Sequence, residues 1–242
     1  MHDGDNTSDD PFQNLKKFDL ASLSAISHTA PERCKSGTRQ NKFSGPFLPG
    51  HAPWDWLIVA DELGGSALRL ALVIYRKAVI SRSSELSARV GLNEQGMLGT
   101  KSWGIREALN RLEVSGLITV SRRSGCKAVA RIVRGAPNNS DNQNQRFIRN
   151  PIPWEWLEEA ARCATPGLLV GLALWRSLYM SQTGDIAKIR IDQIVGSKRN
   201  SKELRRGLKA LEMAGLVQII EIRAGLAQVR IKNPGKCHED GQ

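Results

Sequence analysis

Displaced by 100 residues, the chain matches itself. Phe47, Pro53, Trp54, Trp56, Leu57, Ala60, Leu68, Leu72 and Arg76 face Phe147, Pro153, Trp154, Trp156, Leu157, Ala160, Leu168, Leu172 and Arg176, while Asp55 faces Glu155 and Tyr75 faces Trp175. Further on the displacement is 99, and Ser102, Arg106, Leu109, Leu112, Glu113, Gly116 and Leu117 face Ser201, Arg205, Leu208, Leu211, Glu212, Gly215 and Leu216. Four of the six tryptophans stand at matched positions, which coincidence does not produce. A repeat constrains the fold more than any local pattern, because both copies must form the same unit.

The copies divide the chain. Residues 47–134 form the first domain and residues 147–234 the second. Residues 135–146 contain Asn138-Asn139-Ser140-Asp141-Asn142-Gln143-Asn144-Gln145, a stretch too polar to bury a core, and read as a linker. Residues 1–46 read as a flexible N-terminal segment and residues 235–242 as a tail.

Charge follows the same division. The chain carries a net +11, with +6 on each repeat, zero on residues 1–46 and on the linker, and −1 on the tail. The excess therefore belongs to two folded surfaces and not to a basic tail, which is the electrostatic footprint of polyanion binding.

Other classes find little support. The longest apolar run, Leu168 to Trp175, is far shorter than the roughly 20 residues a bilayer requires, so no membrane partner is expected. The polar, acidic start lacks a secretory pattern, and a cytoplasmic, nucleoid-associated protein is expected. Cys34, Cys126, Cys163 and Cys237 are scattered without a C-x-x-C, which argues against a zinc finger or disulfide scaffold. His2, His28 and His238 lie toward the ends, His51 lacks a ligand-spaced partner, and no metal or cofactor is expected. Gly96-Met97-Leu98-Gly99-Thr100-Lys101-Ser102 misses the spacing of a phosphate-binding loop. No Ser/His/Asp set or carboxylate pair stands out, so the chain is not expected to be an enzyme.

Hydrophobic period gives the elements. In the second copy, Pro153 opens a helix that runs to about Cys163, followed by an apolar helix from Gly167 to Met180. Ala187 to Ile191 alternates as a half-buried strand. Asp192 is expected to cap a short helix, Gln193 to Val195. Ser201 to Ala214 places Leu204, Leu208 and Leu211 on one face, and Gly215 stops it. Leu216 to Ile222, the turn Arg223-Ala224-Gly225 and Ala227 to Ile231 make a hairpin. The first copy repeats this with Ser66–Val79, Ser87–Leu92, Asn93–Met97, Ser102–Val114, Leu117–Arg122, the turn Arg123-Ser124-Gly125, and Ala128–Ile132. The fold class is mainly α with small β-hairpins, α+β.

The run from Arg106 to Arg123, R-E-A-L-N-R-L-E-V-S-G-L-I-T-V-S-R-R, resembles the recognition helix, stop and wing of winged helix-turn-helix regulators. Leu208 to Val217 resembles the same element, and the Pro-Trp-x-Trp-Leu opening is similar to small winged-helix proteins of proteobacterial mobile elements. The likeness covers both repeats and implies two tandem winged helix-turn-helix domains. The Gly-rich stretch between Leu92 and Lys101 departs from the pattern, and a short or distorted second helix is expected there.

The resemblance implies a third helix in the major groove and a hairpin wing on the backbone or minor groove. Such binding needs cationic and hydrogen-bonding side chains opposite the core stripe. The first copy offers Lys101, Ser102, Trp103, Arg106 and Asn110, with Arg122, Arg123 and Lys127 on its wing. The second offers Lys198, Arg199, Asn200, Ser201, Lys202, Arg205, Arg206 and Lys209, with Arg223 on a wing that also holds Glu221. The first wing is expected to hold phosphate more strongly. Trp103 can stack on a sugar or a methyl group or pack on the neighbouring helix, and packing is the favoured reading. Trp54, Trp56, Trp154 and Trp156 are read as pins for the first helix, since residues i and i+2 do not share a helical face.

The expected partner is double-stranded DNA, bound by a transcriptional regulator at an asymmetric or two-half-site operator. A replication initiator of a plasmid or mobile element is the alternative, and a winged-helix protein-interaction module a third reading. The apolar helices Ser66–Val79 and Gly167–Met180 can bury each other or a second chain, which leaves a homodimer open.

Overall fold

In the computed structural model each repeat opens with two short strands and a helix. These are β1 (Phe47–Leu48), β2 (Ala52–Pro53) and α1 (Trp54–Glu62), then β6 (Phe147–Ile148), β7 (Ile152–Pro153) and α4 (Trp154–Arg162). The residues described are 46–81, 86–91, 98–100, 102–133, 146–149, 151–163, 165–180, 185–194 and 196–232. Pro153 is not the first helical residue expected from sequence. It is extended (φ −57°, ψ 131°) and caps the helix from outside, as Pro53 does for α1. Its missing N–H still leaves no helical donor unpaired.

A long buried helix follows in each copy, α2 (Gly65–Ile80) and α5 (Thr165–Met180). Next come β3 (Ser87–Val90) and α3 (Ser102–Val114) in one copy, and β8 (Ile186–Arg190) and α6 (Ser201–Met213) in the other. Each copy ends in a hairpin, β4 (Ile118–Ser121) with β5 (Ala128–Ile132), and β9 (Val217–Arg223) with β10 (Leu226–Ile231). The last strand lies in the middle of each three-stranded antiparallel sheet, in the orders β3-β5-β4 and β8-β10-β9. The expected mixed α+β class is thus observed, as six helices with small sheets among the described residues.

Both hairpins turn where sequence places them. Ala224 and Gly225 have φ of 45° and 78°, the paired positive values of a two-residue type I′ connection. In the first hairpin the Cys126 N–H donates to the Arg123 carbonyl at 3.1 Å, with Gly125 at φ 73°.

The short helix expected over Gln193–Val195 is absent. The described residues 191–194 and 196–200 are not helical, and Val195 lies outside the description. Asp192, expected as its cap, accepts from the Arg205 guanidinium at 2.8 Å. The Ile191 N–H donates to the Gly225 carbonyl at 2.8 Å, while Ile191 and Ile194 are buried. Two isoleucine anchors and the hairpin contact hold this segment, and a single turn, in which the Ser197 N–H donates to the Ile194 carbonyl at 2.9 Å with Gly196 at φ 90°, stands in place of the short helix. The counterpart, Asn93–Met97, lies outside the described residues, as do residues 135–145 of the expected linker.

The repeats interlock. β1 pairs antiparallel with β7, and β2 pairs antiparallel with β6, so each opening strand crosses to the other copy. The Trp54 N–H donates to the Arg146 carbonyl at 2.7 Å, and the Trp154 N–H to the Pro46 carbonyl at 2.8 Å. Arg76 lies over the Trp154 ring at 4.4 Å, and Arg176 over the Trp54 ring at 5.1 Å. Every one of these contacts occurs twice with the copies exchanged, the signature of a two-fold, isologous interface within one chain. Arg146 and Pro46, assigned by sequence to the linker and the flexible segment, therefore supply backbone acceptors to this interface.

Near that pseudo-two-fold the N-termini of α2 and α5 abut. A Cβ on Gly65 would fall 2.1 Å from the Thr165 hydroxyl oxygen, so the approach requires glycine. One hydrophobic cluster spans both repeats, and α2 and α5 are buried within this single chain. All four repeat tryptophans are buried, as expected. The Trp56 Nε1–H donates to the Leu117 carbonyl at 3.1 Å, and the Trp156 Nε1–H to the Leu216 carbonyl at 3.4 Å, which pins each first helix to the start of its own hairpin. Tyr75 donates to the Gly50 carbonyl at 3.1 Å and steadies the crossing arm, and burial pushes its phenol up to about 12.

Candidate nucleic-acid interface

α3 and α6 are amphipathic because apolar residues recur every three to four positions. Ile105, Ala108, Leu109 and Leu112 of α3, and Leu204, Leu208 and Leu211 of α6, face the core. That orientation forces the opposite faces into solvent.

On α3 the outward residues are Trp103, Arg106, Glu107, Asn110 and Arg111. The packing favoured for Trp103 is not observed, since 72% of it is exposed. Its position one residue inside the helix, between half-buried Ser102 and buried Gly104, turns the indole away from the core. Arg106 is exposed and has no hydrogen bond or ion pair with any described residue. Arg111 is occupied: it pairs with Glu107 at 2.9 Å and donates to the Leu63 carbonyl at 2.9 Å, which ties α3 to the end of α1. Lys101 lies outside the described residues.

The first hairpin splits its cations between two faces. Arg122 lies back on α3, donating to Glu113 at 2.7 Å and to Asn110 at 3.0 Å. Its hydrogen bond holds the Glu113 carboxyl below the usual carboxylate range. Arg122 thus fixes the hairpin against the helix and orients the Asn110 amide. Arg123 and Lys127 are exposed at the turn.

On α6 Lys202, Arg206 and Lys209 recur at the i, i+4, i+7 spacing of one face. All three are exposed and without a partner among the described residues. Arg205 is paired with Asp192. Asn200 accepts from the Glu203 N–H at 2.9 Å and serves as the N-cap of α6, with Ser201 half-buried behind it. On the second hairpin Arg223 is paired with Glu221 of its own strand.

Two expected contact residues have another task. Arg199 sends its Nε and Nη2 to the two carboxylate oxygens of Asp61 at 2.7 and 2.9 Å, and Lys198 meets Glu62 at 2.8 Å. The Asp61 side chain is 3% exposed and that of Arg199 20%. The hydrogen bond to Asp61 raises the Arg199 pKa above its ordinary value. This bidentate pair clasps the second repeat to α1 of the first, so Arg199 is not presented to a ligand. The symmetry-related place is solved differently, by Arg69 donating to the Ala161 carbonyl.

Sequence reading missed Arg89 and Arg131. Both lie on the solvent face of the first sheet, where Ser87 pairs with Arg131 and Arg89 with Val129. The strand alternation carried this signal, since Ala88, Val90, Ala130 and Ile132 are buried and their neighbours must face outward.

The repeats therefore distribute charge in opposite ways. In the first, Arg123 and Lys127 at the hairpin turn have no partner among the described residues, and the helix offers an arginine, an amide and an indole. In the second, the cations without a described partner sit on the helix and the hairpin arginine is neutralised. Among the described residues no group of three or more His, Cys, Asp or Glu could hold a metal ion, and no helix is long and apolar enough to cross a membrane. No family model, curated protein or solved structure matches the chain.

Proposed function

We propose that the chain is a sequence-specific, double-stranded DNA-binding transcriptional regulator, built from two winged helix-turn-helix units joined as one body. The observation that carries this reading is the duplicated solvent-facing third helix, each copy set beside a hairpin, in repeats that each carry a net +6. The order of helix, strand, helix and hairpin, with the last strand central in each sheet, supports the winged-helix part of the proposal. The segment before α6, a turn where a helix is expected, departs from it.

The chemistry divides the labour. Arg106, Asn110 and Trp103 have the forms suited to base edges: a guanidinium for guanine O6 and N7, an amide for adenine, and an apolar surface for a thymine methyl. Lys202, Arg206 and Lys209 are suited to phosphates, which position the protein without reading sequence. Arg123 and Lys127 extend the phosphate surface. Because the two helix faces differ, the expected site is asymmetric.

A band-shift titration on genomic duplex fragments tests the proposal. Affinity is expected to fall steeply as salt rises, because each phosphate contact releases counterions. Protection at a promoter fits regulation, whereas protection confined to iterated origin repeats replaces it with replication initiation. Absence of any duplex binding would leave a protein-interaction role in its place.

A further inference from the structure

We propose that the outer face of the first repeat's sheet is a second phosphate-binding surface, which takes the backbone of a duplex DNA segment other than the one on α3. This rests on the DNA-binding reading above and adds a site to it.

Strand alternation separates the two surfaces. On the ascending strand of the hairpin Ile118 is buried, Val120 is half-buried, and Arg122 reaches Asn110 and Glu113 of α3. Thr119, Ser121 and Arg123 point the other way. There they join Arg89, Arg131 and Lys127 around an open cleft of about 750 Å³. The cleft is on the reverse of the sheet from α3, so one straight duplex seated on α3 does not also fill it.

Its chemistry names the ligand. Arg89 and Arg131 and three hydroxyls, from Ser87, Thr119 and Ser121, line it, Arg123 and Lys127 stand at the turn where it meets the first surface, and no carboxylate is among the lining residues. This set matches phosphate oxygens: charge for the anion, and hydroxyl donors for its lone pairs. The lining also holds no aromatic ring. Single strands bound without sequence preference depend on base stacking, so a duplex that offers only its backbone fits better. The corresponding face of the second sheet is different. It exposes Ile220, Ile222 and Leu226. The cleft is a property of one repeat and not a by-product of the fold.

Cys126 lines the cleft and is exposed, which provides a reporter inside it. The full chain is treated with N-ethylmaleimide, with and without duplex DNA, and labelling of Cys126 is followed by peptide mass spectrometry. Duplex is expected to slow that labelling several-fold, both in the native chain and in Trp103→Ala/Arg106→Ala. Arg89→Gln/Arg131→Gln is expected to lose the protection, and its slope of log affinity against log salt should flatten by about 1.8, two contacts at about 0.9 each. Arg89→Lys/Arg131→Lys, which keeps the charge, should restore both and excludes misfolding as the cause. The proposal is overturned if duplex binds and depends on Arg106 while Cys126 labels at the free rate and the glutamine variant keeps its slope. It is equally overturned if tripolyphosphate protects Cys126 and duplex does not, which would make the ligand a free polyphosphate. A chain that binds no duplex at all removes the parent reading and this one together.

Discussion

Arg106 and Arg205 occupy equivalent places on the third helices, yet only Arg205 has a described carboxylate beside it, Asp192 at 2.8 Å. To contact a base Arg205 must leave that pair, whereas Arg106 has nothing described to leave. Arg106→Ala is therefore expected to weaken a specific site by about 1–3 kcal/mol, and Arg205→Ala by less. Titration of both variants on one selected duplex measures the difference; equal losses would contradict this ranking. The Arg199–Asp61 clasp gives a second contrast. Arg199→Ala strands a carboxylate that is 3% exposed, while Asp61→Ala leaves an arginine with some access to water. Breaking a buried pair from one side costs about 3–5 kcal/mol. Arg199→Ala should approach the lower end of that range in denaturant unfolding, and Asp61→Ala should cost clearly less. The reverse order would place the buried penalty on the wrong partner.

At the scale of elements, the third helices pack against the long helices through glycines used unequally. A Cβ on Gly207 of α6 would lie 2.6 Å from the Pro166 backbone carbon and oxygen, atoms that cannot swing aside. The equivalent residue of α3 is Ala108, which is accommodated in full burial. Gly207→Ala should thus destabilise by about 1–3 kcal/mol despite the better helix propensity of alanine. A gain in thermal stability would contradict the close approach. Most elements were legible because burial imprints a period: the third helix Ser102–Val114 and the strand Ala128–Ile132 end where their patterns end. The expected helix after Asp192 was not legible, because a capping residue before a short apolar run looks the same whether its carboxylate takes a backbone N–H or a distant guanidinium. The reach of Arg199 to Asp61 was equally hidden, since 138 residues separate the partners. The exposure of Trp103 was hidden as well, because an indole is more often buried and only the helix phase turns it outward. Of the candidate site, the third-helix cations were read correctly as solvent-facing on both copies, while Arg89 and Arg131 went unread because single cations on short strands carry no spacing signal.

At the scale of the molecule, the reciprocal arms make two repeats into one body. The described residues of both repeats belong to a single compact unit. Cut apart, each repeat would leave its opening strand and the N–H of Trp54 or Trp154 without partners. A second copy of the same repeat can replace them, since β1 pairs with the counterpart of β2 and β6 with the counterpart of β7. An isolated first repeat that keeps the Pro46 acceptor, residues 46–134, should accordingly self-associate into a two-fold dimer by strand exchange. Sedimentation measures this, and a stable folded monomer would contradict the interlocked account. In the whole chain the interlock fixes both third helices in one frame, so the spacing of any two DNA contacts is set by the protein and not by a flexible linker. Selection of binding sites from a randomised duplex library by the purified chain tests the central claim most directly. The account predicts a single enriched motif, bound by one molecule, with unlike halves. No enrichment, or a perfect palindrome bound by one molecule, would contradict it.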